Sequence, residues 1–525
     1  MTVMRKFILS ILAFATTICA SAQPKMVINI VVGGMRATDL ERYSANFSQE
    51  GIMRLKRGGT NFTECYTDFI PTSEQMALST IATGALPSMH GIASTRWYDR
   101  TSGNTAVYLY KGNRGEYTTD HLLSPTLSQT LRSNRDNSQT VTIAHNPASA
   151  ISLAGKGGEC YWIDQLGNWN SATCYSKELP SWVNTHNELG FNRIHLPNKW
   201  YGKLTKGKYI NSRVTDIHIY DLYAKQRTTS NRKLTEGWVD ELMANPGGNG
   251  ALFEFATKVL DKMYNNKELT GTKILNICLD VPRNIAERYG SDSIEYEDML
   301  YRLDATIAEF LKVVDVCYPN QRDYLIVLTA DHGMGHSNTS PNRELNNFNT
   351  RQAEVILNAF LSAQYGQGSW VLSFDDGAIY LNRDLVYAKK LSIAQVQNEA
   401  ATFAMQLRGV ANAATATALQ GGAMSNLSSR LMQNTFYPRR SGDILYTLQP
   451  DYTELDDDNI AQSGSPYNYD RHIPLIFYGC GIPNGVIDRK VSSTAIAVTE
   501  ASLLGISRPD CSDGEVIYEL IKIKK

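Results

Sequence analysis

The most regular feature of the chain is a series of short, almost uninterrupted apolar runs, each followed by a polar or glycine-containing turn. The runs comprise residues 26–32, 140–144, 273–279, 325–328 and 473–478. Continuous apolar runs of this length are typical of strands covered on both faces of a sheet. Segments with apolar residues at helical spacing alternate with these runs. The pattern therefore predicts an α/β fold with a largely parallel central sheet flanked by helices.

Several connecting segments carry helix or turn signals. Residues 73–83, 353–362 and 496–504 are predicted to be helices, and the alanine-rich residues 400–418 are predicted to form another. A further helix is expected after Asp292, because Asp292 and Glu295 have the spacing of a capping box. Asp375-Asp376-Gly377 lies between two apolar runs and predicts a hairpin over residues 371–381.

Two stretches do not follow the alternation of strand and helix. Five of the seven tryptophans lie between residues 160 and 238, where polar and aromatic residues mix without a clear period. We interpret this stretch as part of an irregular lid insertion over about residues 160–270. A second insertion is predicted over about residues 365–451. Both would belong to one α/β domain that extends over residues 23–525.

The N-terminal 22 residues have the pattern of a secretory signal peptide. Arg5 and Lys6 precede an apolar run at 7–18, which is too short to span a bilayer, and Ala20-Ser21-Ala22 is a small-x-small cleavage sequence. We expect an exported protein, periplasmic or secreted, without a transmembrane segment. The net charge of −1 gives no indication of a nucleic-acid partner.

The apolar run at 325–328 is followed by the first candidate metal-binding residues. Asp331 and His332 stand side by side where this strand is expected to end, before Gly333. Ligands of open α/β sheets bind beyond the carboxyl ends of the strands, and a carboxylate beside an imidazole suits a metal ion. The alternative is that Asp331 caps the next turn and His332 only packs against its neighbours.

The order of several motifs resembles the alkaline phosphatase superfamily, in particular its monomeric bacterial alkaline phosphatases and nucleotide pyrophosphatase/phosphodiesterases. The motifs are the strand at 27–32, the loop and helix at 71–83, Leu86-Pro87-Ser88-Met89-His90-Gly91-Ile92, Thr329-Ala330-Asp331-His332-Gly333 and His472-Ile473-Pro474-Leu475-Ile476. The resemblance extends over essentially the whole chain after residue 22. It implies the fold described above, with lids formed by the insertions.

Active members of this superfamily hold two zinc ions with about three aspartates and three histidines, and a Thr or Ser attacks the phosphoryl group. By this resemblance, Asp331, His332 and His472 match three ligand positions. The other three ligand positions fall on Gly33, Arg283 and Glu287, and the nucleophile position falls on Glu74. The resemblance thus implies that Gly33, Glu74, Arg283, Glu287, Asp331, His332 and His472 converge at one end of the sheet.

These replacements lead to competing hypotheses about function. The first is an exported, catalytically degenerate pseudophosphatase that binds an unknown ligand or protein partner, and for which the sequence indicates no cofactor. In this hypothesis Arg283 and the carboxylates replace the metals with charges of the protein. The second is a zinc-dependent phosphomonoesterase or phosphodiesterase with a site rebuilt by Glu74, Glu287 or Asp280. The third is a structural component of an envelope assembly.

Overall fold

The computed structural model describes residues 23–112, 116–196, 200–205, 207–211, 237–336, 346–422, 424–450, 452–454 and 460–521. The predicted signal peptide lies outside these residues. The strands are β1 Met26–Val32, β2 Thr60–Tyr66, β3 Arg96–Asp99, β4 Asn104–Tyr108, β5 Gln139–Ala144, β6 Glu159–Ile163, β7 Trp169–Asn170, β8 Lys273–Leu279, β9 Tyr324–Ala330, β10 Asn347–Phe348, β11 Val371–Asp375, β12 Ala378–Leu381, β13 Val410–Thr415, β14 Ile444–Leu448, β15 Thr453–Glu454, β16 His472–Gly479, β17 Gly485–Ile487 and β18 Val491–Ser492.

The helices alternate with these strands through most of the chain. They are α1 Ala37–Arg42, α2 Ile52–Gly58, α3 Glu74–Thr83, α4 Pro87–His90, α5 Leu127–Asn134, α6 Pro147–Ala154, α7 Ser181–Glu188, α8 Phe191–Ile194, α9 Trp238–Met243, α10 Pro246–Asn265, α11 Val281–Tyr289, α12 Ile294–Cys317, α13 Thr350–Tyr365, α14 Arg383–Ala388, α15 Ile393–Ala404, α16 Ala416–Gly421, α17 Leu427–Thr435, α18 Asn468–Arg471 and α19 Ala495–Leu504.

The central sheet has ten strands and is mostly parallel. Its order is β17-β2-β16-β9-β1-β8-β5-β6-β7, and β18 also pairs with β2. Strands β9, β1, β8, β5 and β6 run in parallel, whereas β16 is antiparallel to both of its neighbours. Every residue of β1, β8 and β9 is buried, as the continuous apolar runs predicted. The α/β fold is therefore confirmed.

The register of the parallel strands determines which loops meet. Val32 pairs with both Leu279 and Ala330, so β1, β8 and β9 end at the same level. Gly33, Asp280 and Asp331 follow these three strand ends directly. The carboxyl edge of the sheet therefore gathers short loops that are distant in the sequence.

Two local predictions were wrong. The alanine-rich segment 400–418 is not one helix, because α15 ends at Ala404, Gly409 turns the chain with φ +98°, and β13 follows. Strand β13 pairs with β14, and this pairing outweighs the helix propensity of alanine. The cap of α12 is Ser293 rather than Asp292: the Ser293 hydroxyl accepts a hydrogen bond from the Tyr296 N–H at 3.1 Å.

The segment predicted as a lid over about residues 160–270 contributes directly to the core. Strand β6 pairs in parallel with β5, so it extends the central sheet, and α10 buries Phe255 and Leu260 in the main hydrophobic core. The irregular part of this segment is therefore shorter than its composition indicated. A lid function for the rest stays a prediction.

A second, smaller sheet lies between residues 371 and 448. Strands β11, β12, β14 and β13 form an antiparallel sheet, and β11 and β12 form the predicted hairpin. This sheet and helices α13 and α15 enclose a hydrophobic cluster of their own around Trp370 and Phe374. In the part of the chain that the structure describes, no helix is sufficiently long and apolar to cross a membrane.

Candidate functional site

A cluster of charged side chains lies at the carboxyl edge of the central sheet. Asp280 follows β8 and begins α11, the helix that carries Arg283 and Glu287. Asp331 follows β9, and Glu74 is the first residue of α3. Three separate parts of the sequence therefore supply the cluster.

Arg283 lies at the centre of four carboxylates. Its Nη1 atom pairs with Glu74 Oε2 and lies 3.9 Å from Asp331 Oδ2. Its Nη2 atom is 3.5 Å from Asp280 Oδ1, and its Nε atom is 3.8 Å from Glu287 Oε1. The Arg283 side chain is 10% exposed, so these interactions are only weakly screened by solvent. One guanidinium thus lies within 4 Å of all four carboxylates.

Glu74 is further held by residues at the start of α6. The Ser149 hydroxyl contacts Glu74 Oε1 and also Asp280 Oδ1, the latter at 2.5 Å. The Asn146 side-chain amide donates to Glu74 Oε1 at 3.4 Å. Because a hydroxyl has a single hydrogen, both contacts of Ser149 are satisfied only when one of the two carboxyl groups carries a proton.

The charges of the cluster do not balance when all its carboxyl groups are ionised, since four carboxylates face one guanidinium. Burial raises the pKa of Glu74 to about 7, although Arg283 opposes the rise. Burial likewise raises the pKa of Asp280 and of Glu287. Burial opposes the charge on Arg283, but the carboxylates, Glu74 foremost, outweigh it and raise its pKa. Burial therefore favours protonation of some carboxyl groups of the cluster, even with Arg283 present.

Asp331 belongs to this cluster and His332 follows it in the chain, and both side chains are buried. Asp331 Oδ1 accepts hydrogen bonds from the Gly34 N–H at 2.9 Å and the His332 N–H at 2.6 Å. Asp331 Oδ2 has no hydrogen-bond partner among the described residues and lies 3.7 Å from His332 Nε2. His332 Nδ1 donates to the Gly333 carbonyl oxygen at 2.6 Å. This contact leaves Nε2 of the neutral ring as an acceptor beside the carboxylate.

His472 does not join Asp331 and His332 by any contact in the described part of the chain. Its Nε2 atom donates to the Thr63 carbonyl oxygen at 2.6 Å, and its ring stacks on Tyr66 with centroids 4.6 Å apart. His472 is the first residue of β16, whose Leu475 pairs with Thr329 of β9, so it enters at the same carboxyl edge of the sheet as the other six residues of the predicted group. The side chain of His472 is instead engaged by β2.

Gly33 stands where the resemblance implied an aspartate. A Cβ atom at this position would lie 2.8 Å from the Leu279 carbonyl oxygen and 3.3 Å from the Cβ atom of Arg283. The Gly33 N–H also donates to the Leu279 carbonyl oxygen at 2.8 Å. Strands β1 and β8 are thus too close at this point to admit a side chain without a shift of the backbone.

Sequence reasoning missed two residues that organise the site. Ser149 bridges Glu74 and Asp280, and only its place three residues after Asn146, which caps α6, marks it in the sequence. His145 Nδ1 accepts from the Asp280 N–H at 3.0 Å while the His145 N–H donates to Asp280 Oδ2 at 3.1 Å. Burial lowers the pKa of His145 to about 4, so a neutral ring holds Asp280 in place.

The residues present do not fit two zinc ions. No group of three or more His, Cys, Asp or Glu side chains within the described ranges is arranged to hold a metal ion. Arg283 Nη1 also places a fixed positive charge between Glu74 and Asp331. This charge would repel a metal cation bound to the same two carboxylates. The roles of Asp331, His332 and His472 as metal ligands therefore stay predictions.

Comparisons with known proteins place this geometry in a family context. Residues 27–470 match the model of the type I phosphodiesterase / nucleotide pyrophosphatase family. The chain is 26% identical to the alkaline phosphatase PafA of Elizabethkingia meningoseptica, with 96% of this chain and 95% of the relative covered. It is 27% identical to the alkaline phosphatase PhoV of Synechococcus elongatus, with 95% and 94% covered.

The solved structures agree with the sequence relatives. The crystal structure of wild-type PafA superposes with a TM-score of 0.85 at 25% identity, covering 95% of this chain and 99% of that one. Murine ectonucleotide pyrophosphatase / phosphodiesterase 5 shares the fold, with a TM-score of 0.54 at 13% identity and 92% and 95% covered. The match of the family model over most of the chain, together with these two structures, leads to one conclusion. This chain belongs to the type I phosphodiesterase / nucleotide pyrophosphatase family, within the alkaline phosphatase superfamily.

Proposed function

We propose that this chain is an exported, catalytically degenerate member of its phosphoester hydrolase superfamily, with a binding or structural role. The observation that carries the proposal is the position of Arg283 among Glu74, Asp280, Glu287 and Asp331. A two-metal phosphoester hydrolase needs one ion to activate the nucleophile and another to stabilise the leaving oxygen. Here a guanidinium stands among the carboxylates, and a carboxylate stands at the nucleophile position.

Glu74 does not substitute for a Thr or Ser nucleophile. Its carboxylate is occupied by Arg283, Ser149 and Asn146, and no hydroxyl stands at the first position of α3. Ser73 precedes it with a buried hydroxyl that has no hydrogen-bond partner among the described residues. A nucleophile needs a base or a metal to activate it, and no such group contacts Ser73 in that part of the chain.

The test is a hydrolysis assay of the purified mature chain. Phosphate monoesters and diesters are supplied with and without added zinc, and the bound metal is measured in parallel. We expect no zinc-dependent turnover above the background hydrolysis of the substrate. The double variant Asp331→Ala with His332→Ala should then behave like the wild type.

Robust turnover in the wild type that is lost in the double variant would refute the pseudoenzyme proposal. That outcome would favour the second hypothesis, a zinc-dependent hydrolase rebuilt around Glu74, Glu287 or Asp280. An exposed carboxylate offers a matched control: Glu515 is distant in sequence from the site residues, and Glu515→Ala should leave either result unchanged.

A further inference from the structure

A second concave site lies apart from the carboxylate cluster. It is a groove of about 320 Å³ along α5, closed on its other sides by the loop before α5 and by the segment after α19. Ligand pockets of proteins span roughly 300–1,000 Å³, so the groove can take a ligand the size of one or two sugar rings. Helix α6 separates the two sites: Asn146 caps its start at the carboxylate cluster, and Lys156 follows its end at the groove. Eight helical residues span about 12 Å.

Half of the residues that line the groove are polar and uncharged. Gln129 and Ser133 lie one turn apart on α5 and present an amide and a hydroxyl along the same wall. Asn134 and Ser507 continue this polar lining, and their side chains hydrogen-bond to each other at 3.1 Å. Leu123 is 46% exposed and supplies an apolar patch at the rim.

Two cations flank these groups. Arg508 is exposed, and no ion pair involves it among the residues that the structure describes. Lys156 pairs with Asp120 at 3.1 Å, but both side chains are more than half exposed, so this pair contributes little and exchanges readily. Asp510 is the one carboxylate among the residues that line the groove. The groove thus combines hydroxyl and amide groups with a net positive charge.

We propose that this groove binds an acidic sugar, in which the ring hydroxyls meet Gln129 and Ser133 and a phosphate or carboxylate group meets Arg508. Hydroxyl and amide side chains exchange hydrogen bonds with several ring hydroxyls at once, and the exposed Leu123 packs on the C–H face of the ring. A guanidinium binds phosphate and carboxylate groups through two parallel hydrogen bonds. An apolar ligand would leave the polar lining without partners, which excludes lipid chains.

The experiment is isothermal titration calorimetry of the mature chain with four probes. They are D-glucose 6-phosphate, D-glucuronate, D-glucose and inorganic phosphate, each at millimolar concentration. We expect at least one of the two acidic sugars to bind, and glucose and phosphate to bind about tenfold more weakly or not at all, because each lacks one half of the contacts. The preferred acidic sugar identifies whether the charged group is a phosphate or a carboxylate.

Variants locate the binding. Arg508→Ala and Gln129→Ala should each weaken binding of the acidic sugar about tenfold, whereas Arg439→Ala, which removes an exposed arginine outside the groove, should have no effect. Three outcomes would overturn the proposal: no acidic sugar binds, phosphate binds as tightly as the sugars, or Arg508→Ala binds as the wild type does. Loss of binding in Asp331→Ala would assign the sugar to the carboxylate cluster and would also overturn it.

Discussion

At the scale of single residues, Arg283 is the most consequential difference from a two-metal site. One arginine neutralises only part of the charge of Glu74, Asp280, Glu287 and Asp331, and it does so from a fixed position. A dication would bring more charge but needs ligands on all sides. The aliphatic part of the Arg283 side chain instead occupies the space between α11 and β1, where Gly33 has no side chain that would crowd it.

Replacing Arg283 with methionine should destabilise the fold. The change leaves buried carboxylates without their partner, a loss that typically costs about 3–5 kcal/mol. Urea unfolding in the presence of a chelator measures this loss. Added Mn²⁺ or Zn²⁺ should restore part of the stability of Arg283→Met, because the freed carboxylates then gain a dication.

The matched control is Arg383→Met, which breaks a 2.8 Å pair between Arg383 Nε and Asp443 Oδ1 in the smaller sheet region. Its stability should not respond to divalent ions, since Arg100 still pairs with Asp443. An Arg283→Met variant as stable as the wild type would show that the four carboxylates are protonated without the arginine.

Glu500 is a second buried carboxyl group, and it lies far from the candidate site in the sequence. Its only hydrogen-bond partner among the described residues is the Asn29 amide at 3.4 Å, and burial raises its pKa to about 8. The folded state therefore binds a proton that the unfolded state releases above pH 4.5. Stability should fall as the pH rises from about 4.5 to about 8, by up to ~1.4 kcal/mol per pH unit from this group.

The variant Glu500→Gln removes this titration and should gain stability over the wild type as the pH increases in that range. Urea unfolding at pH values near both ends of the range measures the difference. Glu515→Gln, at an exposed position, provides the control and should follow the wild type at each pH. A constant difference between Glu500→Gln and the wild type would mean that Glu500 does not titrate there.

At the scale of secondary-structure elements, caps and strand ends control where the chemistry lies. Asp280, Asn146 and Ser293 occupy the N-caps of α11, α6 and α12, and the first two of them contribute to the site. Asp292 did not become the cap, because its carboxylate pairs with Arg36 at 3.2 Å and with Arg42 at 2.9 Å. Which of Asp292 and Ser293 caps α12 therefore depends on Arg36 and Arg42, which are distant in the sequence.

The cap of α12 can be tested by Ser293→Ala. Loss of the bond to the Tyr296 N–H should cost about 0.5–2 kcal/mol of unfolding free energy, the usual cost of removing an N-cap. Thermal or urea unfolding measures it. Ser502→Ala, on an exposed face of α19, makes the same chemical change without a cap and should change stability by less than about 0.5 kcal/mol. Equal effects of the two variants would contradict the assignment.

At the scale of the whole molecule, the parallel sheet explains how distant loops form one cluster. Strands β1, β8 and β9 end at one level, and β16 enters beside β9 in the antiparallel direction. The direction of β16 places His472 at its first residue, near the carboxyl end of β9. The His472 ring contacts β2, because it donates to the Thr63 carbonyl oxygen and stacks on the Tyr66 ring.

The export hypothesis also concerns the whole chain. Protein recovered from an export-competent bacterial host should begin at or near Gln23, because Ala20 and Ala22 have the small side chains that a signal peptidase requires. N-terminal sequencing or intact mass measures the first residue. The variant Ala22→Leu should retain the leader, and Met1 on soluble wild-type protein would contradict the prediction.

The class of fold and most of the central strands follow from the amino-acid sequence alone. The runs at 26–32 and 273–279 coincide with β1 and β8, because strands buried on both faces need apolar residues at every position. The resemblance of the motifs also predicted that Arg283 and Glu74 lie at the same edge of the sheet, where their side chains pair. These features depend on local composition and order, which a single chain displays directly.

The remaining features depend on contacts that form only in the folded chain. The alanine-rich segment is part helix and part strand because β13 pairs with β14. Strand β6 lies in a segment of irregular composition but pairs with β5 in the central sheet. The contact of Ser149 with both Glu74 and Asp280, and the turn of His472 toward β2, depend on groups far apart in the sequence. Such choices follow from which partner a backbone or side chain meets in three dimensions, and a pattern along one chain does not contain that information.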